Sequence, residues 1–183
     1  MLPSDLVERL KEISNKKGTS LSGYATEALE EALKAEALGS TLDEAVTAYR
    51  MKQIHRGAGS ISIPRSSLRQ LIKNINQSEE EIGAIWDEAG RWYGKYLLAN
   101  LRPDEITKFL RKDLLTSWNL DEVDITEGKE TIIRFTSFMM SEEFTLFLLN
   151  YIHGLMESLG YREMEKDSLR GMATIRLYRI NKD

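Results

Sequence analysis

The chain has 183 residues, 42% hydrophobic and 30% charged, with 25 Lys and Arg against 29 Asp and Glu for a formal net charge of −4. That balance fits a globular protein with apolar material for one medium domain or two small ones. Cysteine is absent, which excludes a disulfide framework, a thiolate zinc centre and a cysteine nucleophile. With no secretory leader pattern either, a cytoplasmic location is expected. The longest strongly apolar segment, Phe144 to Leu159, carries Asn150, His153 and Glu157 and is too short to span a bilayer, so no membrane partner is expected.

Ser4 stands where it would cap a first helix, with Asp5 in the first turn, where the helix dipole favours a negative charge. Leu6, Leu10 and Ile13 fall on one face with Val7 at its edge, and Gly18 follows Lys16 and Lys17 as a stop. Ser20 or Ser22 caps a second helix, whose apolar stripe is Leu21, Tyr24, Ala25, Ala28, Leu29, Ala32 and Leu33 and which Gly39 ends. Ser40 or Thr41 starts a third over Leu42, Ala45, Val46, Tyr49 and Ile54, broken by Gly57-Ala58-Gly59. Ser60 to Ile63 alternates and reads as a short strand stopped by Pro64. Leu68, Leu71, Ile72 and Ile75 suggest a fourth helix, and the polar stretch Lys73 to Ser78 places a domain boundary between residues 1–77 and 78–183.

A longer helix runs from Glu79 to about Leu101, with Ile82, Ile85, Trp86, Ala89, Tyr93, Tyr96 and Leu97 as its buried stripe and Gly83, Gly90 and Gly94 as a second line. Each helical glycine costs about 1 kcal/mol relative to alanine. A line of them implies that another backbone or a ligand comes close. Pro103 opens the next helix, which reaches Trp118. Val123 to Ile125 and Thr131 to Phe138 alternate as strands about Glu127-Gly128. Ser141 caps the apolar helix Phe144–Leu159, Gly160 stops it, and Tyr161 to Glu165 and Met172 to Ile180 read as strands. The expected fold class is α+β: a helical N-terminal unit, then an α+β domain whose small antiparallel sheet is covered by helices.

Charge is uneven. Residues 1–77 carry 11 Lys and Arg against 9 Asp and Glu, a net +2, which leaves −6 for residues 78–183. No acid lies between Glu44 and Glu79, while Arg50, Lys52, Arg56, Arg65, Arg69 and Lys73 do. This is the asymmetry of a chain whose first half meets a polyanion; a solvated basic face without a partner would look the same.

The Pro-x-x-Leu-x-x-x-Leu opening at Pro3, the Lys-x-Gly-Thr-Ser turn from Lys16 and the Ala-Leu-Glu-Glu-Ala-Leu run from Ala28 resemble the ribbon-helix-helix family over about Pro3 to Leu38. The resemblance implies a homodimer that reads DNA with a paired strand and anchors phosphate at the second helix's N-terminus. Here the phosphate contacts would be Thr19, Ser20 and Ser22 beside Lys16 and Lys17. Only Met1 and Leu2 precede Pro3. The reading strand is therefore expected upstream of this start, or lost with the helical dimer kept, or replaced by Ser60 to Ile63.

The second half, about Glu79 to Ile180, resembles the vinyl-4-reductase domain and its relatives, the TRAPP transport-subunit and heme-NO-binding folds. Ile82-Gly83, the run Ala89-Gly90-Arg91-Trp92-Tyr93-Gly94 and the run Asn150 to Gly160 carry it. It implies a pocket for a small, largely apolar ligand, or a dimer surface. The cysteines some such domains carry are missing.

His153, alone on an apolar helix with only His55 elsewhere, reads as a packing residue. One axial histidine can hold heme iron, so the cofactor is left unassigned. No set of residues has metal-ligand or catalytic spacing, and a non-enzymatic function is expected. Glu142/Glu143 and Glu163/Glu165 read as surface charges, and the crowded methionines Met139, Met140, Met156, Met164 and Met172 as core filler or an adaptable pocket. Together these readings predict a dimeric transcription regulator with a C-terminal effector-sensing domain. DNA or phosphate would meet Lys16, Lys17, Thr19, Ser20, Ser22, Arg50, Lys52, Arg56, Arg65 and Arg69, and the ligand would meet Gly90, Tyr93, Gly94, His153 and Met156. The alternative is a non-enzymatic small-molecule-binding or scaffold protein whose N-terminal helices only pair chains.

Overall fold

A computed structural model describes residues 3–74 and 77–180, in two units that divide after Gly57. The first holds α1 (Ser4–Lys17), α2 (Leu21–Ala37) and α3 (Leu42–Gly57). Pro3, not Ser4, occupies the cap position of α1. Gly18 ends it in the left-handed conformation (φ 69°), and the Thr19 N–H closes onto the Ser14 carbonyl at 3.0 Å as in a Schellman ending. Ser20 caps α2 by accepting from the Gly23 N–H at 3.0 Å. Thr41 starts α3, its N–H donating to Glu44 Oε2 at 2.8 Å while its hydroxyl accepts from the Glu44 N–H at 3.2 Å.

α2 packs against both α1 and α3, yet the apolar core of this unit is small. Ala35, Met51 and Ile54 are buried, whereas Leu29 and Leu33 on α2 are 68% and 70% exposed and Val46 and Tyr49 on α3 are exposed as well.

The second unit holds α4 (Arg65–Asn74), α5 (Glu79–Asn100), α6 (Pro103–Ser117), β1 (Glu122–Thr126), β2 (Thr131–Thr136), α7 (Glu142–Ser158), β3 (Tyr161–Leu169) and β4 (Met172–Arg179). The four strands are antiparallel in the order β1-β2-β4-β3. Register puts Val123 opposite Phe135, Ile133 opposite Ile175 and Phe135 opposite Ala173. With period-two alternation these residues and Leu177 share one buried face. α7 packs on β3 and β4, and α6 on β1. The class is the α+β arrangement expected from sequence.

Two expectations change. Residues 60–64 form no strand, because four residues stopped by proline have no neighbouring strand to complete their hydrogen bonds. No reading ribbon therefore exists among the described residues. The division after Gly57 lies before α4, not at 77/78. The Arg65 guanidinium donates to the carbonyls of Met139 (3.0 Å) and Trp118 (3.4 Å), and this ties α4 to the second unit. Ile75 lies outside the described residues.

α5 and α7 cross at their glycines. A Cβ on Gly90 would overlap the Tyr151 carbonyl, and one on Gly154 the Asp87 carbonyl; Gly94 faces Ser158 and the Leu155 carbonyl. The buried face of α5 is thus Ile82, Gly83, Gly90, Tyr93, Gly94 and Leu97. Ile85 is 53% exposed and Ala89 is exposed, so the buried stripe is rotated toward the glycine line.

Candidate functional site

The second unit contains a cavity of about 370 Å³, inside the range of about 300–1,000 Å³ typical of small-molecule pockets. Three helices build it. α4 supplies Ile72 with Arg69 and Lys73; the start of α5 supplies Ile82 with Glu79 and Glu80; the start of α7 supplies Phe144 and Phe147, flanked by Leu146, Glu143 and Asn150, and Gln77 completes the wall.

Local chemistry fixes each wall. Ser78 and Glu81 form a capping box, the Ser78 N–H donating to Glu81 Oε2 at 2.7 Å and the Glu81 N–H to Ser78 Oγ at 3.2 Å, which sets the first turn of α5. Ser141 caps α7 and its hydroxyl donates to Glu143 Oε2 at 3.2 Å. α4 has no fully buried residue. It holds its place through Arg65 and through Leu68 and Ile72, both half-buried.

The floor is apolar and the rim is charged with both signs. Glu79, Glu80, Glu142 and Glu143 stand in the first turns of α5 and α7, where the positive dipole end favours carboxylates. Arg69 and Lys73, one turn apart, have no ion-pair partner among the described residues.

The expected ligand residues lie elsewhere. Gly90 and Gly94 are filled by the α7 backbone and the Ser158 side chain. Tyr93 is buried, and its hydroxyl donates to Asp113 Oδ2 at 2.8 Å while Ser117 Oγ donates to Asp113 Oδ1 at 2.7 Å. Burial, then the Asp113 charge and the hydrogen bond to it, hold the Tyr93 phenol far above its ordinary value; burial and Asp113 do the same for Tyr151. Met156 lines a separate cavity of about 80 Å³.

His153 Nδ1 meets Asp87 Oδ1 at 2.6 Å. Arg91 bridges Asp87 and Glu157, and the bond to Asp87 is the main reason its guanidinium titrates above its ordinary value. A carboxylate-held imidazole is what a metal-bound histidine usually has. Yet His153 lines neither cavity, and the larger one has no histidine, cysteine, methionine or tyrosine in its wall to serve as an axial ligand. The wall of the larger cavity does not fit a heme, the smaller measures only about 80 Å³, and none of the described residues form a cluster of three or more metal-ligating side chains.

The expected polyanion contacts fall into separate groups. Lys16, Lys17, Thr19, Ser20 and Ser22 gather at the α1–α2 turn, where the Lys17 ammonium lies 4.8 Å from the Tyr24 ring centroid. Lys52 and Arg56 are exposed on α3, which also carries Arg50. Arg65 and Arg69 belong to α4 in the other unit, and Arg65 is committed to its two carbonyls. Arg69 is the one expected site residue that lines the larger cavity. The sequence places neither Asn150, although its polarity inside the apolar α7 is a usable signal, nor Ile72 and Lys73 of α4 at a ligand site; the structure puts all three in the wall of the larger cavity. No helix among the described residues is long and apolar enough to cross a membrane.

No family model matches the chain, and no curated protein matches it. Solved structures do, at low identity. An oxygen-binding H-NOX domain related to soluble guanylate cyclases, in its oxygen complex, is 15% identical with a TM-score of 0.39, covering 69% of this chain and 81% of that one. A structure from work on modulating heme redox potential through protein-induced porphyrin distortion is 14% identical, with a TM-score of 0.40 over 69% of this chain and 86% of that one. One from work on the molecular mechanism of H-NOX activation is 13% identical, with a TM-score of 0.40 over 72% of this chain and 86% of that one.

Proposed function

We infer that the chain is a non-enzymatic small-molecule-binding protein whose ligand occupies the cavity between α4, α5 and α7. The observation that carries this reading is the cavity itself: about 370 Å³ with Ile72, Ile82, Phe144 and Phe147 in its wall, and one side formed by a helix with no fully buried residue. A short amphipathic helix with one anchored end can admit a ligand and close on it at modest cost. Titration calorimetry with decanol and decanoate tests it. At least one binds one-to-one, and Ile72→Trp, which fills the cavity from an exposed helix, abolishes the binding. Failure of both probes refutes the reading.

A regulator reading adds chain pairing and DNA contact through the first unit. Its support is the exposed apolar surface on α2 and α3 in a unit too small to bury much. α2 carries Glu27, Glu30 and Glu31 beside its stripe and α3 carries Lys52 and Arg56 beside its own, so a second copy that lays α2 on the partner's α3 matches charge as well as apolarity. Light scattering on the full chain gives the mass of two chains, and Leu29→Glu with Leu33→Glu reduces it to one. A gel-shift series on genomic fragments then shows binding that weakens steeply with salt. A single-chain mass for the natural sequence removes the pairing, and no shift at low salt removes the DNA contact.

A further inference from the structure

We propose that the α4–α5–α7 cavity takes an amphipathic monoanion, its apolar part on Ile72, Ile82, Phe144 and Phe147 and its acidic group at the rim between Arg69 and Lys73. This rests on the ligand-binding reading above and adds the charge of the ligand.

The rim charges have unequal explanations. Glu79 and Glu80 stand in the first turn of α5, and Glu143 in that of α7 accepts from Ser141; both helix ends gain from a nearby carboxylate. The acids are therefore explained by the helices they begin. Arg69 and Lys73 are not. They sit four residues apart on one side of α4, both facing the cavity, and like charges at that spacing repel. Neither has an ion-pair partner among the described residues. An acidic group between them removes the repulsion and offers a guanidinium fork a planar two-oxygen acceptor. A cationic ligand would meet Glu79, Glu80 and Glu143 instead and leave the Arg69–Lys73 repulsion in place.

The test is calorimetry on the full chain with three probes of one chain length, decanoate, decanol and decylamine, each below its micelle-forming concentration. Decanoate binds one-to-one and about tenfold more tightly than decanol, the scale of one charge-assisted hydrogen bond; decylamine binds more weakly than decanol. The double variant Arg69→Gln, Lys73→Gln lowers the preference for decanoate over decanol from about tenfold to about one. Its far-UV circular dichroism matches the natural chain, since both positions are exposed. Decanol or decylamine binding as tightly as decanoate overturns the charge assignment while the ligand-binding reading stands. No binding of any probe overturns both.

Discussion

The crossing of α5 and α7 makes a quantitative prediction that runs against helix propensity. Replacing a helical glycine by alanine gains about 1 kcal/mol in an isolated helix. At Gly90 and Gly154 the new methyl would overlap backbone carbonyls of the opposite helix, and backbone cannot swing aside as a side chain can. The helices must separate, and α7 carries Leu148, Ile152 and Leu155, all 0% exposed. Overpacking of this kind costs about 1–3 kcal/mol, and the rigid neighbour places these sites at the upper end. Set against the propensity gain, Gly90→Ala and Gly154→Ala each lower stability by roughly 2 kcal/mol. Gly83→Ala is the control. Its methyl meets only the Asn150 side-chain amide, which can rotate, so it is near neutral or stabilising. Urea unfolding followed by tryptophan fluorescence reads the effect. All three tryptophans, Trp86, Trp92 and Trp118, lie in the second unit, so the signal reports that unit alone. With a urea slope of about 2 kcal/mol per M, the midpoint falls by about 1 M for Gly90→Ala and Gly154→Ala. A rise in midpoint for both would refute the backbone contact.

Other consequences follow from the buried polar groups and from the mismatch with heme. Tyr93→Phe removes the hydrogen bond donated to the buried Asp113 and lowers stability by about 1–3 kcal/mol, measured in the same unfolding assay. Tyr93 and Tyr151 are both held neutral, above the ordinary phenol value of 10.0. The unfolded chain therefore releases their protons first. The stability they contribute is complete below pH 10 and falls as pH rises past it, by up to about 1.4 kcal/mol per pH unit for each tyrosine. Tyr93→Phe removes one of the two contributions and flattens the decline, whereas an unchanged slope would contradict the burial of that phenol. Hemin added to the natural chain and to His153→Ala gives superimposable Soret spectra; a shifted band lost in the variant would contradict the heme argument.

Much of this fold is legible in the sequence because its signals are local. Gly18, Ser20 and Thr41 act within one turn of where they stand, and the four antiparallel strands follow from alternation and turn chemistry. The strand expected at Ser60 to Ile63 fails for a non-local reason: alternation supplies a face but not a neighbour to bond to. The glycine line on α5 announced a close approach, and the approaching group is the α7 backbone. The ligand was expected at that line. The cavity instead forms where α4 lies over the starts of α5 and α7, a juxtaposition of segments about 70 residues apart, from Arg69 and Ile72 to Phe144 and Phe147, that no periodicity encodes. Arg69 stands out in the sequence for its charge; in the structure it lines the cavity with Ile72, Phe144 and Phe147.

Methyl NMR with decanoate tests the ligand site most directly. With the isoleucine methyls labelled, the ligand chain gives cross-relaxation to Ile72 and Ile82 and shifts both resonances in a saturable way. Contacts confined to isoleucines outside the cavity, such as Ile13 or Ile61, with Ile72 and Ile82 unmoved, would contradict the account.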